Sequence, residues 1–212
     1  MGVFAFTALC ASSLLTIIDP IAAAPLFVAT TATQSAVERR RTAVRATAVA
    51  LGLLCLFAAA GGGIFRLFGI TIEAFRIAGG ILFFTMALPM LTGARSAHAT
   101  QPEAHGDDPA IVPLGVPIIA GPGAISTVMV LMGQADGIGQ AVGVYVAIAI
   151  ACVVTLATLW LAPPLLHRLG RAGIALVTRV LGLIMCVIGI QFVLDGLRPV
   201  VIEVIRAARM AG

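Results

Sequence analysis

Residues 17–27 read "IIDPIAAAPLF", an aspartate and two prolines inside an otherwise apolar run. Proline removes a backbone donor, and its ring clashes with the carbonyl one turn back. A carboxylate at the centre of a bilayer costs at least ~2.5 kcal/mol on insertion scales. Whether the stretch belongs to a soluble core, a cleaved leader or a broken membrane helix decides the fold.

Composition answers the first part. Of 212 residues, 60% are hydrophobic and 10% charged, with a mean hydropathy of +1.12. A soluble domain carries about 25% charged residues, so the bilayer is the natural solvent of this chain. A cleaved leader is not expected: no positive segment precedes "AAA" (22–24), and Pro25 follows it directly. The net charge of +4 comes from arginine, with no lysine in the sequence. Arginine in loops orients a membrane protein, so nucleic acid is not an expected partner. Cys10, Cys55, Cys152 and Cys186 stand singly in apolar segments, which points to packing rather than metal or redox chemistry.

A crossing needs roughly 20 apolar residues. Six candidates fall near 4–33, 43–66, 72–94, 111–135, 139–162 and 174–195. A polar connector, "ARSAHATQPEAHGDDPA" (94–110), separates the third from the fourth, and the tail "GLRPVVIEVIRAARMAG" has apolar residues at helical spacing suited to the interface or to disorder. Arg39, Arg40, Arg41, Arg45, Arg95, Arg168, Arg171 and Arg179 fall on one side and outnumber the rest, so both termini are expected outside.

The halves resemble each other. "RIAGGILFF" (76–84) aligns with "RVLGLIMCV" (179–187), and "IIDPIA" (17–22) with "IAGPGA" (119–124). A second register sets "PIAAAP" (20–25) against "PIIAGP" (117–122). Three spans per half reverse the direction of the second half. The expectation is an all-α polytopic membrane protein of six transmembrane helices in two inverted three-helix repeats, with helices 1 and 4 broken by Pro and Gly. Its parts are a first repeat (1–94), the connector (95–110), a second repeat (111–195) and the tail (196–212).

Pro20 and Pro25 are expected to interrupt span one; Pro113, Pro117, Gly121, Pro122 and Gly123 are expected to interrupt span four. Irregular backbone at that depth is tolerated only inside the protein or along a polar cavity. Two breaks together suit a small zwitterion. Amides at a half-helix N-terminus attract a carboxylate, a role that fits "GPGAIST" (121–127) with its hydroxyls Ser126 and Thr127. Unwound carbonyls and Asp19 attract an ammonium, and Asp19 is also the proton-coupling candidate. Blander readings stand beside these. The prolines make simple kinks, the hydroxyls bond back to the preceding turn, and Asp19 bonds to amides at the break. Arg76 and Arg179 snorkel to headgroups, while Gly79, Gly80, Gly182 and "GGG" (61–63) permit close packing. Gln191 is a weak pore-lining candidate.

His98, His105 and His167 lie in or beside polar segments and form no catalytic set. No catalytic residue, metal site or cofactor is expected, and with no phosphate-binding glycine loop ATP is not the expected energy source.

The combination of "DPIAAAPLF" with "PLGVPIIAGPGAISTVMVL" (113–131) resembles the MarC family of bacterial and archaeal inner-membrane proteins. That family shows Asn-Pro in its first span and Pro-Leu-x-x-Pro-x-x-Ala-Gly-Pro-Gly-Ala-Ile-Ser-Thr in its fourth. Pro113, Leu114, Pro117, Ala120, Gly121, Pro122, Gly123, Ala124, Ile125, Ser126 and Thr127 carry the second motif, and Asp19 stands where the family usually has asparagine. The resemblance implies export of small neutral amino acids such as glycine and alanine, with an architecture similar to the LysE-type exporters. The binding positions it implies are Asp19 and Pro20 in the first break and Gly121, Pro122, Gly123, Ala124, Ser126 and Thr127 in the second. The implied partners are small neutral amino acids, H+ as coupling ion, the lipid bilayer and a second copy of the chain. Efflux of drug-like amphiphiles and a non-transporting membrane scaffold are the competing functions.

Overall fold

The computed structural model describes residues 1–31, 33–92, 115, 118–167 and 170–210. Pro113, Pro117 and the connector 95–110 lie outside them, as do His98 and His105. The described chain is all helical: α1 (Val3–Ile18), α2 (Pro20–Thr30), α3 (Ala36–Phe68), α4 (Ile72–Thr92), α5 (Pro122–Gly133), α6 (Ile138–His167) and α7 (Gly170–Met210).

Local chemistry sets the boundaries. Ser35 opens α3 with a capping box. Its amide donates to Glu38 Oε2 at 2.8 Å, and the Glu38 amide donates to Ser35 Oγ at 3.3 Å. Gly69 closes the same helix at φ 63°, the left-handed conformation that glycine adopts without strain. Thr71 caps α4 by accepting from the Ala74 amide. Before α6, the Asp136 amide donates to Gln140 Oε1, while Gln140 Nε2 donates to the Met1 carbonyl at 3.0 Å and so pins the start of the chain.

Five stretches are long and apolar enough to cross a membrane: Val3–Val28, Ala36–Phe68, Ile72–Thr92, Ile138–Pro164 and Leu176–Glu203. The sixth membrane segment is the short apolar helix Pro122–Gly133. The helices form two packing groups. In the larger, α6 lies against α1, α2 and α3. Its stripe of Val144, Ala147, Ile148, Ala151, Thr155 and Leu159 is fully buried. The facing stripe of α3 is Ala43, Ala46, Ala50, Leu54 and Ala58, small residues that bring backbones close in lipid. On α1, Phe6, Cys10, Leu14 and Ile18 recur every fourth residue and give it one buried edge.

The smaller group is α4 with α7, which touch each other far more than either touches the rest. Gly182, Gly189 and Gly196 recur every seventh residue of α7. A Cβ on Gly189 would meet the Gly80 carbonyl at 2.7 Å, and one on Gly196 would meet the Glu73 carbonyl at 2.7 Å. The two helices therefore pack backbone to backbone.

Six membrane segments in an all-α fold are present, but the expected breaks in helices 1 and 4 are corrected. The first span does break, at Asp19. The described helix of the fourth does not: α5 runs uninterrupted for 12 residues from Pro122 to Gly133. The two places where one described helix gives way to the next with least chain between them are Ile18/Pro20, in helix 1, and His167/Gly170, at the entry to helix 6. The reason is positional. Pro122 occupies the first turn of α5, where a missing N–H costs nothing. It starts a helix instead of dividing one, so the inverted pair of three-helix repeats built on breaks in helices 1 and 4 does not describe this fold.

Candidate functional site

Asp19 is the only described non-glycine residue at positive φ (φ 44°, ψ 72°). That conformation costs most residues ~1–2 kcal/mol and is least strained for Asp and Asn. The residue serves both helices it separates. Its amide donates to the Leu15 carbonyl at 3.1 Å, ending α1, and its carbonyl accepts from the Ala23 amide at 3.1 Å. Its Oδ1 accepts from the Ala22 amide at 3.2 Å, capping α2. Pro20 then takes the first helical position, and α2 continues past Pro25 to Thr30. The break is thus a capped corner. Its side chain is half-buried and spent on the backbone.

The start of α5 is built differently. Gly115, Ile118 and Ile119 form a π-helical turn whose Ala120 amide donates to the Gly115 carbonyl at 3.0 Å. Gly121 is extended (φ −76°, ψ 171°), and no side chain caps the helix that follows. The first-turn amides of Gly123 and Ala124 are therefore the orphan donors of α5, at the positive end of its dipole. Gly121 to Ser126 are all buried. Ser126 Oγ donates back to the Gly123 carbonyl at 3.0 Å, the local bond expected of a helical serine, and Thr127 beside it is half-buried.

Three neighbours close around this helix start. Pro122 sits against α4 so tightly that a Cβ on Gly79 would fall 2.0 Å from Pro122 Cγ. A Cβ on Gly123 would fall 2.3 Å from Phe192 Cζ and 3.1 Å from Ile17 Cγ2. Phe192 of α7 meets Phe83 of α4 edge to face, with ring centroids 5.8 Å apart. Together Ile17, Phe83, Gly121, Gly123, Ala124 and Phe192 bound a cavity of about 10 Å³, room for one water at most. From α4, Arg76 Nε donates to Ser126 Oγ at 3.4 Å.

The geometry sorts the expected residues. Gly121, Gly123 and Ala124 line the cavity, and Pro122 lies between them. Ser126 is one turn on, beneath Arg76. Asp19 and Pro20 are close in sequence to the lining residue Ile17 but do not line it. Three residues carry more of the site than their sequence suggested. Arg76 reaches Ser126 instead of a headgroup, and Phe83 and Phe192 form the wall opposite the glycines. Arg76 had a sequence signal in its matching position to Arg179; the two phenylalanines had none beyond being apolar. Gln191 is exposed and donates to Asp195 Oδ1 at 2.8 Å. Among the described residues no group of three or more His, Cys, Asp or Glu could hold a metal ion.

The sequence matches the MarC family integral membrane protein description over residues 4–201. The chain belongs to the MarC family. MarC-family relatives include a UPF0056 membrane protein of Methanocaldococcus jannaschii, 38% identical over 88% of this chain and 93% of its own length. One from Aquifex aeolicus is 35% identical over 88% and 89%, and the UPF0056 membrane protein YhcE of Escherichia coli is 33% identical over 88% and 89%. No solved structure matches. MarC membership makes the chain a multi-pass integral membrane protein of a transporter family. A helical protein shared by archaea and bacteria belongs to the membrane both possess, the cytoplasmic one.

Proposed function

We propose that this chain is a secondary transporter, working as an exporter, of small neutral amino acids such as glycine and alanine, by alternating access to the cavity at the start of α5. The observation that carries the reading is the pair of uncapped amides and the bare glycine backbone beside one closed apolar cavity, with Arg76 held on Ser126 one turn further along α5. The substrate carboxylate faces the Gly123 and Ala124 amides and the Arg76 guanidinium. Its ammonium faces the first span, where the Thr16 carbonyl has lost its helical donor because residue 20 is proline.

Size selection follows from Gly123 and Phe192, which leave no room for a long side chain. Neutrality follows from a lining without acidic or basic side chains. The cavity as it stands holds one water at most, so both access and binding require Phe192 to leave Gly123. Since α4 and α7 hold mainly to each other, their displacement as a pair is the simplest opening motion. The arginine-rich start of α3 and the arginines that follow α6 in the sequence then face the cytoplasm, with both termini outside.

The test is counterflow of labelled glycine, alanine and leucine in proteoliposomes, wild type beside Phe192→Ala. Wild type is expected to exchange glycine and alanine but not leucine, and the variant to admit leucine. A folded wild-type protein that exchanges no neutral amino acid refutes the reading and favours amphiphile efflux.

A further inference from the structure

A second, larger cavity of about 160 Å³ lies at the opposite end of α2, bounded by Phe27, Arg39, Arg40, Trp160, Pro163 and Pro164. Its level is fixed by its walls. Span α3 begins at Ala36, and the apolar stretch of α6 ends at Pro164, so the cavity sits where hydrocarbon meets headgroups. Trp160 is 47% exposed there, the placement amphipathic indole rings favour.

The chemistry of the cavity is cationic and incomplete. Arg39 is half-buried. Its Nη2 donates to the Thr31 carbonyl at 3.3 Å and the Gln34 carbonyl at 3.5 Å, while its Nε is buried with no acceptor. Among the described residues no carboxylate pairs with Arg39 or Arg40; Glu38, between them and their serine cap, is engaged in the capping box. A buried guanidinium N–H without an acceptor carries a desolvation cost that an anion removes, and the planar fork of arginine matches phosphate oxygens. The cavity is flanked by lipid-facing residues, Leu161 at 69% and Val37 at 63% exposure, which supply a surface for acyl chains.

We propose that this cavity holds the phosphate of an anionic glycerophospholipid, with Arg39 and Arg40 on the headgroup and Trp160 against the glycerol and upper acyl chains. The site is independent of the transport reading above. It is a specific lipid seat and not general attraction to an anionic leaflet, because a half-buried Arg39, tethered to the Thr31 and Gln34 carbonyls, lines a formed cavity.

Full-length protein in neutral detergent is titrated with phosphatidylglycerol, phosphatidylcholine or inorganic phosphate, and thermal unfolding is followed. Phosphatidylglycerol is expected to raise Tm saturably and the other two not. Arg39→Gln should weaken that response about tenfold, the loss of one charge-assisted hydrogen bond. Arg39 also tethers the α2–α3 loop, so Arg40→Gln, at an exposed residue with no hydrogen bond of its own among the described residues, provides a second variant and should weaken the response about threefold. An Arg39-dependent response to inorganic phosphate equal to that of the lipid would reassign the site to free phosphate. Equal lipid responses in wild type and both variants would show surface adsorption only and overturn the proposal.

Discussion

Two proline-marked corners of this protein look alike on paper and behave differently in space. At Ile18–Pro20 the chain breaks, and Asp19 bonds to both helices through its amide, carbonyl and carboxylate. At Gly121–Pro122 a helix begins with no side-chain cap, its first donors facing a small cavity closed by Phe83 and Phe192. Proline marks a corner in both cases. What differs is whether a neighbouring side chain consumes the freed backbone groups. A corner with an aspartate caps the helix it starts, and a corner with glycines leaves its first donors without a side-chain cap.

Substitutions at the open corner should have the largest effects. Gly123→Val places methyl groups where Phe192 and Ile17 already stand. It should abolish exchange of glycine and alanine in proteoliposomes and cost ~1–3 kcal/mol of stability from overpacking; retained transport would remove the glycines from the site. Next in size is Arg76→Gln. Loss of a charge-assisted contact should raise the half-saturating substrate concentration roughly ten- to a hundredfold, with the protein still folded, and Arg76→Lys should recover only part. An unchanged value would make Arg76 a mere clamp on Ser126.

The capped corner should respond through stability. Asp19→Ala is expected to lower it by ~1 kcal/mol, the value of an N-cap, read by thermal unfolding in detergent. Asp19→Asn should be nearly silent, since asparagine caps as well and tolerates the left-handed conformation equally. Its exchange should keep the wild-type dependence on pH, and an exchange that loses that dependence would restore Asp19 as the proton-coupling residue. Smallest of all is Asp19→Gly, where relief of the positive φ offsets the lost cap to within a few tenths of a kcal/mol.

The sequence carried some of this legibly. Scarce charge and recurring apolar runs predict membrane helices, and the "AGPGAIST" stretch marks the glycines that line the cavity. The fate of the fourth span was harder to read, because one proline can interrupt a helix or start it. The outcome turns on whether the preceding residues are helical, and Gly121 is extended. Asp19 shows a related difficulty: depth alone suggests a functional carboxylate, whereas the partner the structure gives its Oδ1 is the Ala22 amide, three residues along its own chain. Phe83 and Phe192 were invisible because contact across two helices leaves no trace in an apolar sequence. Gly79, Gly80 and Gly182 were legible as close-packing glycines, whereas the seven-residue period that Gly189 and Gly196 complete emerges only once α7 lies on α4.

That seam bears on how the protein is made. The face of α4 around Gly80 offers little side chain to its neighbours, and its partner surface, Gly189 and its flanks, lies in α7, which leaves the ribosome after α4, α5 and α6. Until α7 arrives, α4 waits in the bilayer with its contact face against lipid. Helix α7 is therefore the keystone of this pair, and a nascent chain stalled before residue 170 carries α4 without its main packing partner.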